Sequence, residues 1–192
     1  MAGELRRGFK ADAERLAIDV RAELGLGVLD PFDCIELCKR LGVPVLTVPE
    51  LMSAGASPRS IRCLLLPNAR FSALTVAAGT KRLIVYNPAH PAGRRANSLA
   101  HELSHILLEH PLLPALGNGG CRLWNSTLEG EADWQAGALL VPRDSALEWM
   151  RSNGSVEEGA IQFGVSQALF QWRVNQTGVI RQLNASTSFR RR

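Results

Sequence analysis

Three residues within five positions have types and a spacing suited to metal chemistry: His101, Glu102 and His105. An α-helix turns about 100° per residue, so residues four apart differ by only ~40° and lie ~6 Å apart along the helix axis. Both imidazoles then face the same way and can hold two corners of a tetrahedral zinc site. Glu102 can reach a metal-bound water as general base. The HExxH pattern therefore predicts a metal centre with Glu102 as its base.

A zinc site with two histidines needs a third protein ligand, and the acidic segment 129–133 offers candidates. Glu129 and Asp133 share one helix face, whereas Glu131 lies ~200° around the helix from Glu129, so only one glutamate can point at the ion. Glu129 is the preferred ligand, because Asp133 could then fix the tautomer of a ligand imidazole. Glu131 is the alternative ligand. Glu129 could instead close a capping box with Ser126 at the start of a helix.

Other side chains could assist the chemistry by donating a hydrogen bond to an oxyanion beside the metal. The candidates are Tyr86, His90 and His110. The sequence leaves all three open.

Length and composition indicate one compact domain, or one domain with a small appendage. The chain has 192 residues, of which 46% are hydrophobic and 21% charged, and its four cysteines form no CxxC pair. No apolar run approaches the ~20 residues that a membrane span requires. Charged residues are scattered through the first twenty positions, where a signal peptide needs an apolar stretch. We therefore expect a cytoplasmic protein with reduced thiols and no membrane partner.

The net charge of +4 could suggest a nucleic-acid partner, but the excess is confined to one end of the chain. Residues 181–192 contain four arginines and no acid, and the rest of the chain has 18 residues of each sign. A basic terminus of this kind is usually solvated or disordered. We predict a disordered tail over 181–192 and no specific nucleic-acid partner.

The pattern of apolar residues predicts an α+β fold. Helical spacing occurs at about 10–24, 34–41, 91–110, 127–141, 144–152, 156–163 and 167–176. Short apolar segments between Pro, Gly, Ser and Asn predict strands at 43–48, 61–66, 71–77 and 82–86. The last two should form an antiparallel hairpin. We expect a small, mainly antiparallel sheet flanking the HExxH helix.

Residues 155–178 have a second pattern, which is similar to a helix-turn-helix. Ser155 and Glu158 fit a capping box, and Ala160 and Gly164 fall where such a unit needs a small contact and a tight turn. Its second helix has a single positive charge, Arg173, whereas groove binding depends on several phosphate contacts. This favours packing over DNA recognition.

The segments AHELSHILLEH and EGEADWQAGALLVP together resemble the ImmA/IrrE family of metallopeptidases. Its members follow HExxH with a pattern close to E-x-x-A-[ND]-x-F-A-x-x-L-L-[MV]-P. On this resemblance, His101 and His105 match the histidine ligands, Glu102 the catalytic base and Glu129 the glutamate ligand. Gln135 stands where the family usually has Phe.

The resemblance implies a gluzincin-like zinc endopeptidase, with Mn²⁺ as a possible alternative metal. It implies a protein substrate, specifically a helix-turn-helix repressor cleaved in a stress-response or mobile-element circuit. The expected organisation is a zincin-like domain over 1–150, a helical extension over 151–180 and the tail over 181–192. A non-proteolytic anti-repressor, a DNA-binding regulator or a toxin component remain alternatives.

Overall fold

The computed structural model describes most of the chain, namely residues 5–55, 57, 71–78, 81–111 and 125–190. The strand predicted at 61–66, two of the cysteines (Cys63 and Cys121) and the turn of the predicted hairpin at 79–80 lie outside the described residues.

Helices make up most of the described structure, together with one small sheet, so the predicted α+β class is confirmed. In chain order the helices are α1 (Phe9–Glu23), α2 (Cys34–Arg40), α3 (Val48–Ser53), α4 (Ala92–Leu107), α5 (Ser126–Leu140), α6 (Arg143–Arg151), α7 (Val156–Gln162), α8 (Gln167–Gln176) and α9 (Val179–Arg190). None of the described helices has the length and apolar character that crossing a membrane requires.

The sheet has three strands in the described part of the chain: β1 (Val45–Thr47), β2 (Ala73–Ala78) and β3 (Lys81–Tyr86). Their order is β1-β3-β2, with β1 parallel and β2 antiparallel to β3. The central strand β3 buries the adjacent residues Ile84 and Val85 completely. Successive strand residues point to opposite faces, so both faces of β3 are covered at this point.

The chain divides into two compact units, and the division falls inside α5. The first unit includes Asp33–Asp133 and the second includes Arg6–Phe32 and Trp134–Arg192. This grouping puts α1 and α6 with the C-terminal helices. The HExxH motif and the acidic segment 129–133 both belong to the first unit.

In the first unit, helix α4 is anchored by its apolar face and by contacts at its C-terminal end. Leu99, Ala100 and Leu103 are buried at helical spacing. Arg82 of β3 donates hydrogen bonds to the carbonyls of His105 (3.5 Å) and His110 (3.4 Å). These contacts fix the end of the helix on which the motif lies.

Helix α2 also belongs to the first unit, and its two cysteines are core residues. Cys34 and Cys38 are buried. Burial raises the pKa of both thiols, and with the nearby charge of Asp33 it raises that of Cys38 to about 11. Both therefore remain protonated near neutral pH, which is typical of structural cysteines.

The second unit contains the helix pair α7 and α8. Ser155 and Glu158 form the predicted capping box at the start of α7. Gly164, with φ of 64°, provides the turn before α8. A Cβ at Gly159 would lie 2.5 Å from Cζ of Phe170, so the close approach of the two helices requires glycine at this position.

Arg173, the basic residue of α8, is fully buried in the second unit. Its Nε donates to the carbonyl of Val141 (2.8 Å), and its guanidinium pairs with Glu14. The ring of Trp134 lies 5.4 Å from the guanidinium carbon. A side chain held in this way is unavailable for a DNA phosphate, which favours the packing role of the pair.

Two helices occur where the sequence did not predict them. Helix α3 directly follows β1, and Thr47 caps it in a capping box with Glu50. Helix α9 runs from Val179 to Arg190, through most of the segment for which a disordered tail is expected. Residues 191–192 lie outside the described residues.

Candidate metal centre

Helix α4 brings His101 and His105 together on one face. Their Nε2 atoms lie 3.1 Å apart, and their ring centroids are separated by 4.9 Å. The spacing of four residues on a helix accounts for this geometry. The two imidazoles therefore converge on one point, as the sequence pattern predicts.

Glu129 of α5 reaches the same point. Its Oε2 lies 3.2 Å from Nε2 of His101, and its Oε1 lies 3.9 Å from Nε2 of His105. The carboxylate is buried, with Glu129 only 7% exposed. Glu129 is thus the glutamate of the acidic segment that meets both histidines.

The start of α5 differs from the capping box considered in the sequence analysis. Asn125 caps the helix, since its Oδ1 accepts hydrogen bonds from the amides of Thr127 (3.1 Å) and Leu128 (3.3 Å). Ser126 is the first helical residue rather than the cap. Glu129 therefore does not occupy the third helical position that a box with Ser126 as cap requires.

The three side chains fit a divalent metal ion. One ligand atom from each of His101, His105 and Glu129 lies within 4.8 Å of the others, the sole such group among the described residues. Ligands placed tetrahedrally at ~2.0–2.1 Å from zinc are about 3.3–3.4 Å apart. The 3.1 Å between the two Nε2 atoms and the 3.2 Å between Nε2 of His101 and Oε2 of Glu129 are close to this value, and the other carboxylate oxygen, Oε1, lies 3.9 Å from Nε2 of His105. Two imidazoles and a carboxylate are also donors that zinc commonly accepts.

Asp133 supports His101 from the side opposite the cluster. Its Oδ1 lies 2.8 Å from Nδ1 of His101. Burial lowers the pKa of His101, but the hydrogen bonds with Asp133 and Glu129 outweigh this effect and raise the pKa to about 9. The structure therefore places Asp133 where the sequence analysis expects an acceptor for a ligand imidazole.

His110 and Glu131 lie next to His105. Nδ1 of His110 is 2.9 Å from Nδ1 of His105, and Nε2 of His110 is 3.2 Å from Oε2 of Glu131. Burial lowers the pKa of His110 more than Glu131 raises it. Glu131, the alternative ligand, thus contacts His110 and is not part of the three-residue cluster.

Glu102 is oriented by a residue that the sequence analysis did not single out. Its Oε2 accepts hydrogen bonds from the amide (2.8 Å) and hydroxyl (2.7 Å) of Thr75 on β2. Glu102 is only 4% exposed. Both of these hydrogen bonds end on the same carboxylate oxygen, Oε2.

The remaining oxyanion candidates have other surroundings. Nε2 of His90 lies 3.0 Å from the carbonyl of Phe71 and 3.5 Å from the hydroxyl of Ser72. Tyr86 is half-buried at the end of β3. Of the three candidates, His110 is the one that the structure brings into contact with a histidine of the cluster.

An α+β fold with two helices that supply two histidines and a glutamate, and with a second glutamate oriented beside them, is typical of metallopeptidases. The family model described as the IrrE N-terminal-like domain of peptidase family M78 matches residues 38–175, and the chain belongs to this family. The match includes the whole candidate centre and confirms the resemblance to the ImmA/IrrE family. No curated protein and no solved structure matches the chain. Membership of a metallopeptidase family implies a metal ion and a protein substrate.

Proposed function

We propose that the protein is a zinc-dependent endopeptidase in which His101, His105 and Glu129 hold the ion. The observation that carries this proposal is the convergence of three ligand atoms within 4.8 Å. Glu102, on the same helix as the two histidines, supplies a buried carboxylate for proton transfer. The family match supports the metallopeptidase class.

The residues around the ion have separate tasks in the reaction. Zinc supplies Lewis acidity, which lowers the pKa of water toward ~7 and polarises a peptide carbonyl. Oε1 of Glu102 accepts the proton of the attacking water and then delivers it to the leaving amine. The two hydrogen bonds from Thr75 hold Oε2, so Oε1 keeps a fixed orientation.

Asp133 sets the protonation pattern of one ligand. Asp133 accepts a hydrogen bond from Nδ1–H of His101, so the proton that His101 loses on binding the ion comes from Nε2, which faces the cluster. The same hydrogen bond fixes the orientation of the imidazole ring.

We further propose that the substrate is a helix-turn-helix repressor in the cytoplasm, cleaved at one site in a stress-response or mobile-element circuit. The resemblance to the ImmA/IrrE family supports this choice. The buried state of Arg173 also favours a protein over DNA as the partner, because it removes the basic side chain of α8 from the surface.

The test is incubation of the purified protein with candidate repressors, followed by mass spectrometry of the products. Wild type is compared with chelator-treated protein, with protein reloaded with Zn²⁺ or Mn²⁺, and with Glu102→Gln. Glu36→Gln, which alters an exposed glutamate of α2, is the control. Cleavage should occur in wild type and the control and fall by ~10²–10⁴-fold in Glu102→Gln, which still binds metal.

The same experiment distinguishes the non-proteolytic alternatives. A repressor that is inactivated equally well by Glu102→Gln, without cleavage, would identify an anti-repressor that acts by binding. Absence of stoichiometric metal in wild type would overturn the proposed metal centre.

A further inference from the structure

His105 contacts His110, which in turn contacts Glu131, and the proposed reaction assigns no task to either of these two buried residues. His110 is 5% exposed and Glu131 is 8% exposed. The three side chains form a line in which His110 bridges His105 and Glu131, with separations of 2.9 Å and 3.2 Å.

Donor and acceptor requirements determine where the protons of this line must lie. To bind an ion through Nε2, His105 needs a lone pair there and therefore carries its proton on Nδ1. Nδ1 of His110 must then accept that proton's hydrogen bond, so His110 carries its own proton on Nε2. A carboxylate can only accept, which is what Oε2 of Glu131 offers to this N–H. One assignment of protons satisfies all three residues.

We propose that His110 and Glu131 are positioning residues of the metal centre, which hold His105 in the tautomer and ring orientation that bind the ion. This inference rests on the proposed role of His105 as a ligand. His110 acts through His105 and does not touch the ion. Both ring nitrogens of His110 are hydrogen-bonded, one to His105 and the other to Glu131. We therefore assign His110 this positioning role and not that of an oxyanion donor.

The local backbone explains how His110 reaches His105. After α4 the chain turns through Glu109, which has φ of 54°, and the amide of His110 donates to the carbonyl of His105 (2.9 Å). This turn has the hydrogen-bond pattern of a Schellman motif, which directs the chain back toward the last helical turn. Arg82 donates to the carbonyls of both histidines and holds the turn on β3.

Metal affinity of variants provides the first test. His110→Leu removes the acceptor for Nδ1–H of His105 and should weaken Zn²⁺ binding by ~10–100-fold, the usual range for partners behind a ligand. His110→Asn places an amide oxygen near the position of Nδ1 and should recover part of this loss. His90→Leu removes a histidine that contacts Phe71 and Ser72, and it should leave the affinity unchanged.

Nuclear magnetic resonance of protein labelled with ¹⁵N at its four histidines tests the same inference without a substitution. Long-range ¹H–¹⁵N correlations should show the proton of His105 on Nδ1 and that of His110 on Nε2. A proton on Nδ1 of His110 would overturn the inference. Unchanged affinity in His110→Leu would do the same, provided that the variant is folded.

The two proposals fail in different ways. Wild-type protein that takes up no Zn²⁺ contradicts the proposed function, and the histidine tautomers of the metal-free protein then still test the line itself. If the wild type binds Zn²⁺ and both His110 variants bind it with the same affinity, only the positioning role is contradicted.

Discussion

Thr75 donates two hydrogen bonds, one from its amide and one from its hydroxyl, to the same oxygen of Glu102. Because the backbone N–H of Thr75 is one of the donors, the position of strand β2 determines where the carboxylate of Glu102 lies. The hydroxyl bond adds a contribution that depends on the side chain and can be removed without changing the backbone.

Thr75→Val should lower kcat while leaving the metal in place, because it removes the hydroxyl donor but keeps the shape of the side chain. A hydrogen bond to a charged group contributes about 1.5–3 kcal/mol, so we expect a reduction of about 10-fold or more. Thr75→Ser, which retains the hydroxyl, should recover most of the activity. Steady-state kinetics with metal analysis measure both effects, and equal losses in the two variants would contradict the hydroxyl's role.

Glu129→Ala and Glu131→Ala should affect metal binding to different extents. Loss of Glu129 removes one of three ligand atoms and should leave little bound metal after dialysis. Loss of Glu131 removes a partner of His110 and should weaken binding by only ~10–100-fold. Titration against a chelator of known affinity gives both dissociation constants. The opposite order would assign the ligand role to Glu131.

Metal affinity should increase with pH, because His101 must lose a proton to bind the ion. Its raised pKa of about 9 in the metal-free protein means that this proton is present at neutral pH. The apparent affinity should therefore rise by about tenfold per pH unit from about pH 7 and level off near the pKa. Competition titrations at several pH values measure this slope.

Asp133→Asn provides the control for this pH dependence. Asp133 raises the pKa of His101 through a hydrogen bond and its charge, so the variant should reach its maximum affinity at a lower pH than wild type. A pH dependence that is identical in the two proteins would show that another group controls metal uptake.

Any affinity for DNA should be weak and independent of sequence. The excess positive charge lies in residues 181–192, which allows at most about four phosphate contacts and hence a modest salt dependence. Because α9 extends to Arg190, replacing Arg190, Arg191 and Arg192 by Ser is preferable to deleting the segment. Binding measured at several salt concentrations should then be nearly lost, whereas proteolysis should be unaffected. Sequence-specific binding that survives this change would make α7 and α8 a DNA-recognition unit.

Local sequence patterns were sufficient to predict most helices and the composition of the candidate metal cluster. His101 and His105 face the same way because the rotation per residue of a helix depends only on its own backbone. The same rotation allows only one of Glu129 and Glu131 to face the histidines, and the preference for Glu129 follows from Asp133 on its face together with the family pattern. The structure places Glu129 against both histidines, as these local arguments predict.

Helix α3 is not among the elements that the apolar pattern predicts, although its signals are local. Thr47 and Glu50 have the spacing of a capping box, and Pro49 favours the first turn of a helix. The apolar residues immediately before it predict a strand, and a helix of six residues is too short to show a clear helical periodicity. Helix α9 is also difficult to predict from the sequence, because its apolar residues do not form a clear stripe along one face.

Asp133 follows from the sequence as a partner of the cluster, but tertiary structure alone decided that Thr75, His110 and Glu131 also lie beside it. Thr75 and Glu102 are 27 positions apart, and His110 and Glu131 are 21 apart, on elements whose sequences show no relationship to each other. A hydrogen bond requires donor and acceptor within about 3 Å, and no periodicity of a single helix or strand specifies such a distance between two elements. The sequence determined that His101 and His105 could bind one metal ion together, because one helical turn sets their spacing. The packing of three elements against helix α4 determined which side chains orient the histidines and Glu102. These elements are strand β2, helix α5 and the turn that follows α4.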